Sequence, residues 1–290
     1  MGSDAYLLGI DLGTMGVKSA IFALDGGLMG SFYRDYPLDS PLPGWAQQDT
    51  GLWWKETCTT IKESLAQAKI NPADIAGIGC CGQSHGPSPL DKSGKFIGPC
   101  ITWVDQRSTK QVNWIIENVP EEKVLKINQS SVDNAYTAAK LIWLRENQPE
   151  LYGKAWKFLL PKDVLVYFLT GEISTDKTDA SVTNMFDVWR LDWSDELLDA
   201  YGIARDKLAP VHDPQEVVGG VTSEAASETG LKAGTPVVAG GGDWACTFYG
   251  AGFVKHGRGV DMTGTVGGFM IAVDAEKAQM RGGSHRSQNM

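Results

Sequence analysis

A chain of 290 residues, 42% hydrophobic and 21% charged, has the size and mix of one large globular domain or of one domain with part of another. Its formal net charge of -9 and pI near 5.0 argue against a nucleic-acid or membrane-surface binder, since no basic stripe is present. An anionic small ligand held locally by backbone amides stays compatible with that charge.

No basic-then-apolar leader opens the chain and no run is apolar enough to span a bilayer, which predicts a cytoplasmic protein without a membrane partner. The five cysteines are odd in number and lack zinc-ligand spacing, so they read as reduced thiols.

The first stretch, 7–24 (LLGIDLGTMGVKSAIFAL), reads as two short strands, 7–12 and 17–24, joined by the turn Gly13-Thr14-Met15-Gly16. Asp11 lies at the lip of that turn. Such a hairpin can aim backbone N–H groups at a phosphate while the carboxylate holds a metal or water. An ordinary buried hairpin whose Asp satisfies turn amides explains the same residues. Asp25-Gly26-Gly27 is a turn signal and 28–36 a third antiparallel strand. A helix follows, N-capped by Asp49 or Thr50, with Trp54, Cys58, Ile61, Leu65 and Ala68 as its core-facing stripe and Asn71-Pro72 as its stop. The run 75–81 (IAGIGCC) is a short buried strand.

The resulting order, β-β-β-α-β, is not the β-α-β opening of a plain dinucleotide-binding fold, and neither G-x-G-x-x-G nor a P-loop is present. Gln83, Ser84 and His85 come directly after the buried strand, where open α/β sheets bind ligands. The segment 95–103 reads as a returning strand that ends in WVDQR. Helices are predicted over 109–118, 137–147 and 161–169, the last with Pro near its start and Gly171 past its end. A short strand is expected at 157–160, a polar loop at 175–181, and short helices at 197–201 and 224–229. The strand 235–239 leads into Gly240-Gly241-Gly242-Asp243 and a helix over 244–250. Residues 260–263 and 268–273 look like a second hairpin, and DLGTMG early against MTGTVG late suggests a duplicated architecture. The last ten residues carry no pattern and read as a tail that is disordered or not native to the protein.

Asp243 is the sharpest chemical candidate, because it ends a strand, follows three glycines that leave room for a ligand, and opens a helix whose N-terminus favours the ionised carboxylate. A helix N-cap is its structural alternative. With Asp11 it gives two carboxylates at the ends of different strands, one able to serve a metal and the other to accept a proton from a hydroxyl. That division suits phosphoryl transfer to an alcohol. Gln83, Ser84 and His85 could hydrogen-bond a polyhydroxylated substrate, though a satisfied structural histidine fits equally. Trp103 could wall a sugar face or belong to the core, Asp105 and Arg107 could be a structural ion pair, and Asp176 and Asp179 read as loop and cap residues.

Nine short motifs in order, GIDLGTMGVKSAIF, GWAQQD, IAGIGCCGQSHG, CITWVDQRS, TAAKLIWL, DVLVYFLTGE, TDASVTNMFD, LDWSDELL and TPVVAGGGDWACTFYGAG, resemble the N-terminal part of an FGGY-family carbohydrate kinase, most similar to the xylulose kinases. The likeness spans residues 7–273. It implies an α/β, RNase H-like domain of the actin/hexokinase ATPase type, with a mixed β-β-β-α-β-α-β sheet flanked by helices. It implies ATP-dependent phosphorylation of a sugar hydroxyl with Mg2+, xylulose or a related pentulose being the first expectation. Glycerol, polyol or gluconate kinases of the same family are alternatives, as is a non-catalytic carbohydrate-binding or regulatory module.

Under this resemblance Asp243 corresponds to the catalytic base and Asp11 to the acid near magnesium. Gly13, Thr14, Met15 and Lys18 correspond to the first phosphate-side segment, and Thr263, Gly264 and Thr265 to the second. Gln83, Ser84, His85, Trp103 and Asp105 correspond to the sugar side. The implied partition is a sugar-binding and catalytic domain over 1–252, the first hairpin of an ATP-binding domain over 253–275, and a tail over 276–290. The sequence departs from the family at Ser84, where xylulose kinases usually carry Met, which bears on the sugar. Because full-length members have a second domain of comparable size, the chain alone is expected to be a poor kinase. Edges exposed on a truncated hairpin leave a homodimer open.

Overall fold

The computed structural model describes residues 5–263, 267–272 and 274. Three strands open it: β1 (Tyr6–Leu12), β2 (Gly16–Ala23) and β3 (Leu28–Asp35), followed by helix α1 (Thr50–Ala68) and strand β4 (Ile75–Gly82). After a long insertion come α2 (Pro161–Thr170), the short α3 (Lys177–Ser181), β5 (Val217–Gly220), β6 (Pro236–Val238), β7 (Gly241–Gly242) and α4 (Asp243–Gly250). The last pair, β8 (Gly259–Thr263) and β9 (Gly267–Ile271), forms a separate antiparallel hairpin.

The central sheet runs β5-β6-β4-β1-β2-β3, with β7 also paired to β4. The β1–β2, β2–β3 and β5–β6 pairs are antiparallel, while β4 runs parallel to β1, β6 and β7. This is the mixed sheet that the β-β-β-α-β order predicts. In β1, Leu8, Ile10 and Leu12 alternate into the core, so Asp11 faces the other way. Each such aliphatic side chain contributes about 1.5–3 kcal/mol on burial. Leu8, Ile10, Leu12, Val17 and Ile21 pack in one cluster with Trp53, Ile61 and Leu65 of α1 and Val164, Leu165 and Leu169 of α2. A second cluster, built around Ile115, Leu141, Ile142, Phe186 and Leu197, packs the helical insertion against the segment between α3 and β5.

The buried face of α1 is rotated from the expected stripe. Trp53, Thr57, Thr60, Ile61 and Ser64 are its most deeply buried residues, whereas Trp54 and Ala68 are only partly covered. The reason is close packing on the sheet. Ser64 donates to the Ser19 carbonyl, Ser19 and Thr60 hydroxyls meet at 2.7 Å, and a Cβ on Gly30 would stand 2.7 Å from the Ser64 carbonyl oxygen. Small hydroxyl residues fit that approach where large apolar ones do not.

Two other expectations change. The strand over 95–103 shrinks to Cys100–Ile101, because Pro99 lacks an N–H and Gly98 is pressed against Leu151 and Pro89. The polar loop over 175–181 is instead a two-residue strand and the buried helix α3, capped by Asp176 through the Thr178 and Asp179 amides.

The link from β6 to β7 passes through Gly240, whose φ is +79° and whose missing Cβ would fall 2.0 Å from the Cys80 carbonyl oxygen. Only glycine takes both the left-handed backbone and that contact. The chain therefore lies directly on β4 as it enters β7.

Candidate active site

Three strand ends meet at one edge of the sheet. Asp11 of β1 and Gly241 of β7 both stand opposite Cys81 of β4 in parallel register. Asp11 and the residue after β7, Asp243, thus emerge at the same end. Asp243 is the first residue of α4 and makes no side-chain cap; its Oδ1 accepts the Trp244 N–H at 2.6 Å. The capping alternative does not describe its geometry. Burial raises the Asp243 pKa above the ordinary carboxylate value, the Trp244 hydrogen bond opposes this, and the Asp11 charge raises it further. Burial likewise raises Asp11, with the Cys81 thiol and Lys18 pulling the other way. Lys18 is Asp11's cross-strand partner in the β1–β2 ladder.

The turn between β1 and β2 is pinned by its carbonyl oxygens. The Tyr36 hydroxyl donates to Gly13 O at 2.5 Å, Gln48 Nε2 to Thr14 O at 2.7 Å, and the Tyr33 hydroxyl and Tyr36 N–H to Met15 O at 3.1 and 3.2 Å. In a trans peptide the N–H points opposite to the carbonyl of the same plane. With these carbonyls drawn onto the protein, the N–H groups of Thr14 and Met15 face away from it, as an anion cradle needs.

Just past the end of β4, Gln83 is buried and reaches back to this turn, donating to Gln48 Oε1 at 2.8 Å, while its own Oε1 has no partner. His85 adopts φ +74°. Its Nδ1 lies 2.7 Å from the Val182 carbonyl, which can only accept, so Nδ1 carries the proton and Nε2 keeps its lone pair. Burial lowers the His85 pKa to about 4, and the ring is neutral near pH 7. The Trp103 indole is 38% exposed, which takes it out of the core, and its Nε1 donates to Thr14 Oγ1 at 2.8 Å. It ties the segment after Cys100–Ile101 to the turn at 13–16.

Asp105 corrects the sugar-contact expectation. It is fully buried and its oxygens accept from the Ala46 and Arg107 amides and from the Arg107 guanidinium, with the closest ion-pair contact at 2.7 Å. Arg107 in turn lies 3.7 Å above the Trp45 ring. The pair is structural, the alternative that the sequence also offered.

Asp179 departs from its reading as a loop residue. It is fully buried, accepts the Ser84 hydroxyl at 2.6 Å through Oδ1, and leaves Oδ2 without a hydrogen bond, 3.8 Å from Lys162 Nζ. Lys162, also buried, contacts Asp163 and lies 3.0 Å from Asp176. Burial works against the Lys162 ammonium, yet Asp163, Asp176 and Asp179 outweigh it and hold its pKa above the ordinary value. Burial raises Asp179 well above the usual carboxylate range despite Lys162. This cluster backs Ser84 and Gly242, since a Cβ on Gly242 would meet Asp179 Oδ1 and Ser84 Oγ at 3.0 Å each.

Of the second hairpin's expected residues, Thr263 ends β8, and Gly264 and Thr265 lie outside the described residues. A separate hollow of about 460 Å³, lined in part by Lys92, Trp156, Lys157 and Tyr167, shares no residue with this site. Among the described residues no helix is long and apolar enough to cross a membrane.

A mixed sheet that opens with an antiparallel hairpin, its turn beside two carboxylates at strand ends, has the architecture of the actin/hexokinase-like fold. Comparison with solved structures agrees: the xylulose kinase of Rhodospirillum rubrum superposes with a TM-score of 0.88 at 27% identity, over 92% of this chain and 55% of that one. The model of the FGGY family of carbohydrate kinases, N-terminal domain, matches residues 6–250, and the chain belongs to that family.

It is 32% identical over 280 residues to the xylulose kinase of Bacillus subtilis, covering 97% of this chain and 56% of the relative. It is 33% identical over 268 residues to an autoinducer-2 kinase of Klebsiella pneumoniae, covering 90% and 50%. The chain spans about half the length of the curated relatives it matches.

Proposed function

We propose that this chain supplies the sugar-binding and catalytic half of an ATP-dependent carbohydrate kinase that phosphorylates a hydroxyl of a pentulose, xylulose first among them. The observation that carries the reading is the convergence of Asp11, Asp243 and the outward amides of the turn at 13–16 on one sheet edge. We assign 1–252 to this half, 253–275 to the first hairpin of an ATP-binding domain, and 276–290 to a tail.

In this mechanism Asp243 takes the proton of the sugar hydroxyl as its oxygen attacks the terminal phosphoryl group. Its raised pKa suits a base. The Thr14 and Met15 amides meet the charge on the phosphoryl oxygens, and Lys18 adds positive charge from the neighbouring strand. His85 Nε2 accepts from one sugar hydroxyl, Ser84 lies beside it, and the Trp103 ring covers an apolar sugar face. Gln83 supports the turn from below. Thr263, Gly264 and Thr265 complete the phosphate side.

The donor set fits Mg2+. Among the described residues no group of three or more His, Cys, Asp or Glu side chains is placed to hold a metal ion. That suits an ion which keeps its waters and binds one carboxylate, Asp11, together with nucleotide phosphates. When bound, Mg2+ neutralises phosphate charge.

Titration calorimetry of this chain against xylulose, ribulose, glycerol, erythritol and gluconate tests the reading. A pentulose is expected to give heat that Asp243→Ala and His85→Ala abolish. Heat from gluconate or a polyol alone moves the substrate within the family, and no heat from any of them, with an intact circular dichroism spectrum, overturns the proposal.

A further inference from the structure

Five cysteines are present, and three of them, Cys58, Cys80 and Cys100, are buried. The other two lie at the sheet end that carries Asp11 and Asp243. Cys81 is half-buried at the end of β4, and Cys246 is exposed in the first turn of α4. Gly241 lies between their backbones. It is opposite Cys81 in the parallel β4–β7 register, and a Cβ on it would stand 3.1 Å from Cys246 Sγ. Partners opposite each other in a parallel pair present their side chains on the same face, so the space left by the absent Gly241 side chain, beside the Cys81 side chain, is where the Cys246 sulfur lies. Cys81 Sγ is also 3.5 Å from Asp11 Oδ1, to which its S–H donates.

We propose that Cys81 and Cys246 are a reversible redox modification site, closed to an intramolecular disulfide by peroxide-class oxidants. Cys246 is the attacking sulfur, because it is the accessible one and sits in the first turn of a helix. Its thiolate attacks one peroxide oxygen. The S–O bond forms, the O–O bond breaks, and the departing hydroxide leaves as water after protonation, giving a sulfenic acid on Cys246. The Cys81 sulfur then attacks the Cys246 sulfur. The S–S bond forms, the S–O bond breaks, and a second water leaves. Two thiols lose two electrons, the peroxide gains them, and the two thiol protons end in the waters.

The disulfide ties the first turn of α4 to β4 three positions after Asp243, and it removes the S–H donor beside Asp11. The pair stands on its own geometry and does not depend on which sugar, if any, the site takes.

The experiment uses the reduced chain, hydrogen peroxide and non-reducing peptide mapping by mass spectrometry. The expected product is a linked Cys81–Cys246 peptide that dithiothreitol releases, with Cys58, Cys80 and Cys100 alkylated only after denaturation. In Cys81→Ser, Cys246 is expected to stop at a sulfenic acid that dimedone captures. In Cys246→Ser the link disappears. Cys246 of the native chain should alkylate at least about tenfold faster than Cys58. Circular dichroism of both serine variants checks that they fold, and if either fails, the linked peptide of the native chain still decides. Dimedone capture in the native chain equal to that in Cys81→Ser, a Cys80–Cys81 link, a Cys246–Cys246 dimer or no reaction would each overturn the proposal.

Discussion

The molecule treats two groups of carboxylates in opposite ways. Asp163, Asp176 and Asp179 surround Lys162 in the interior, and Asp105 holds Arg107 in a buried pair. Asp11 and Asp243 meet at the sheet edge without an ion pair among the described residues; burial pushes them upward, as it does Asp163 and Asp179, so the difference lies in the partners. The first group is compensated at home and serves shape. The second has single hydrogen bonds and the cross-strand Lys18 but no ion pair, an arrangement that persists where a ligand or a proton supplies the rest. A carboxylate's company, more than its burial, separates structure from candidate chemistry here.

The largest way to test that contrast is Lys162→Met. It leaves the buried acids without their cation and is expected to cost about 3–5 kcal/mol, read as a lower midpoint in chemical denaturation. A change near zero would mean that the cluster is already neutral.

Asp243→Asn should act in the reverse sense. It removes one of two neighbouring acids and is expected to raise stability by about 0.5–2 kcal/mol. In any assay where the parent chain turns over, it should lower turnover by about 10²–10⁴-fold. A fall in melting temperature would place Asp243 among the structural acids.

The pH dependence sharpens the same point. A carboxyl whose folded pKa is raised holds its proton more tightly in the native state, so its favourable contribution is present at low pH and is lost as pH climbs from the unfolded value, near 3.9, through the folded one. The melting-temperature gap between Asp243→Asn and the parent should therefore be small near pH 4, open as pH rises, and level off above the folded pKa. A gap that is constant with pH would break the assignment.

The smallest effect is expected from Trp103→Phe, which removes one hydrogen bond to Thr14. A loss of about 0.5–1.5 kcal/mol in thermal unfolding would measure that tie.

Local signals made much of this legible. Alternating Leu8, Ile10 and Leu12, the Gly-Thr-Met-Gly turn and the apolar run of β4 each follow from short-range pattern, and the glycines before Asp243 marked a chain that must pass close to its neighbours. What stayed hidden depends on partners distant in the chain. Asp179 looked like loop polarity because its cation, Lys162, sits in a helix whose pattern speaks only of apolar burial. Gln48 sat inside a motif without a visible role, and only the fold shows it carrying the turn carbonyl of Thr14. The rotation of α1 was equally out of reach, since Gly30 admits its backbone across the sheet rather than along the helix.

Gly240 sets a dimension that no side chain provides. Its backbone rests on the Cys80 carbonyl, so the offset of β7 from β4, and with it the gap between Asp243 and Asp11, is fixed by hydrogen where every other residue has carbon. A methyl group there would act as a spacer. Gly240→Ala is a change of caliper, altering the span between the two acids before it alters either of them.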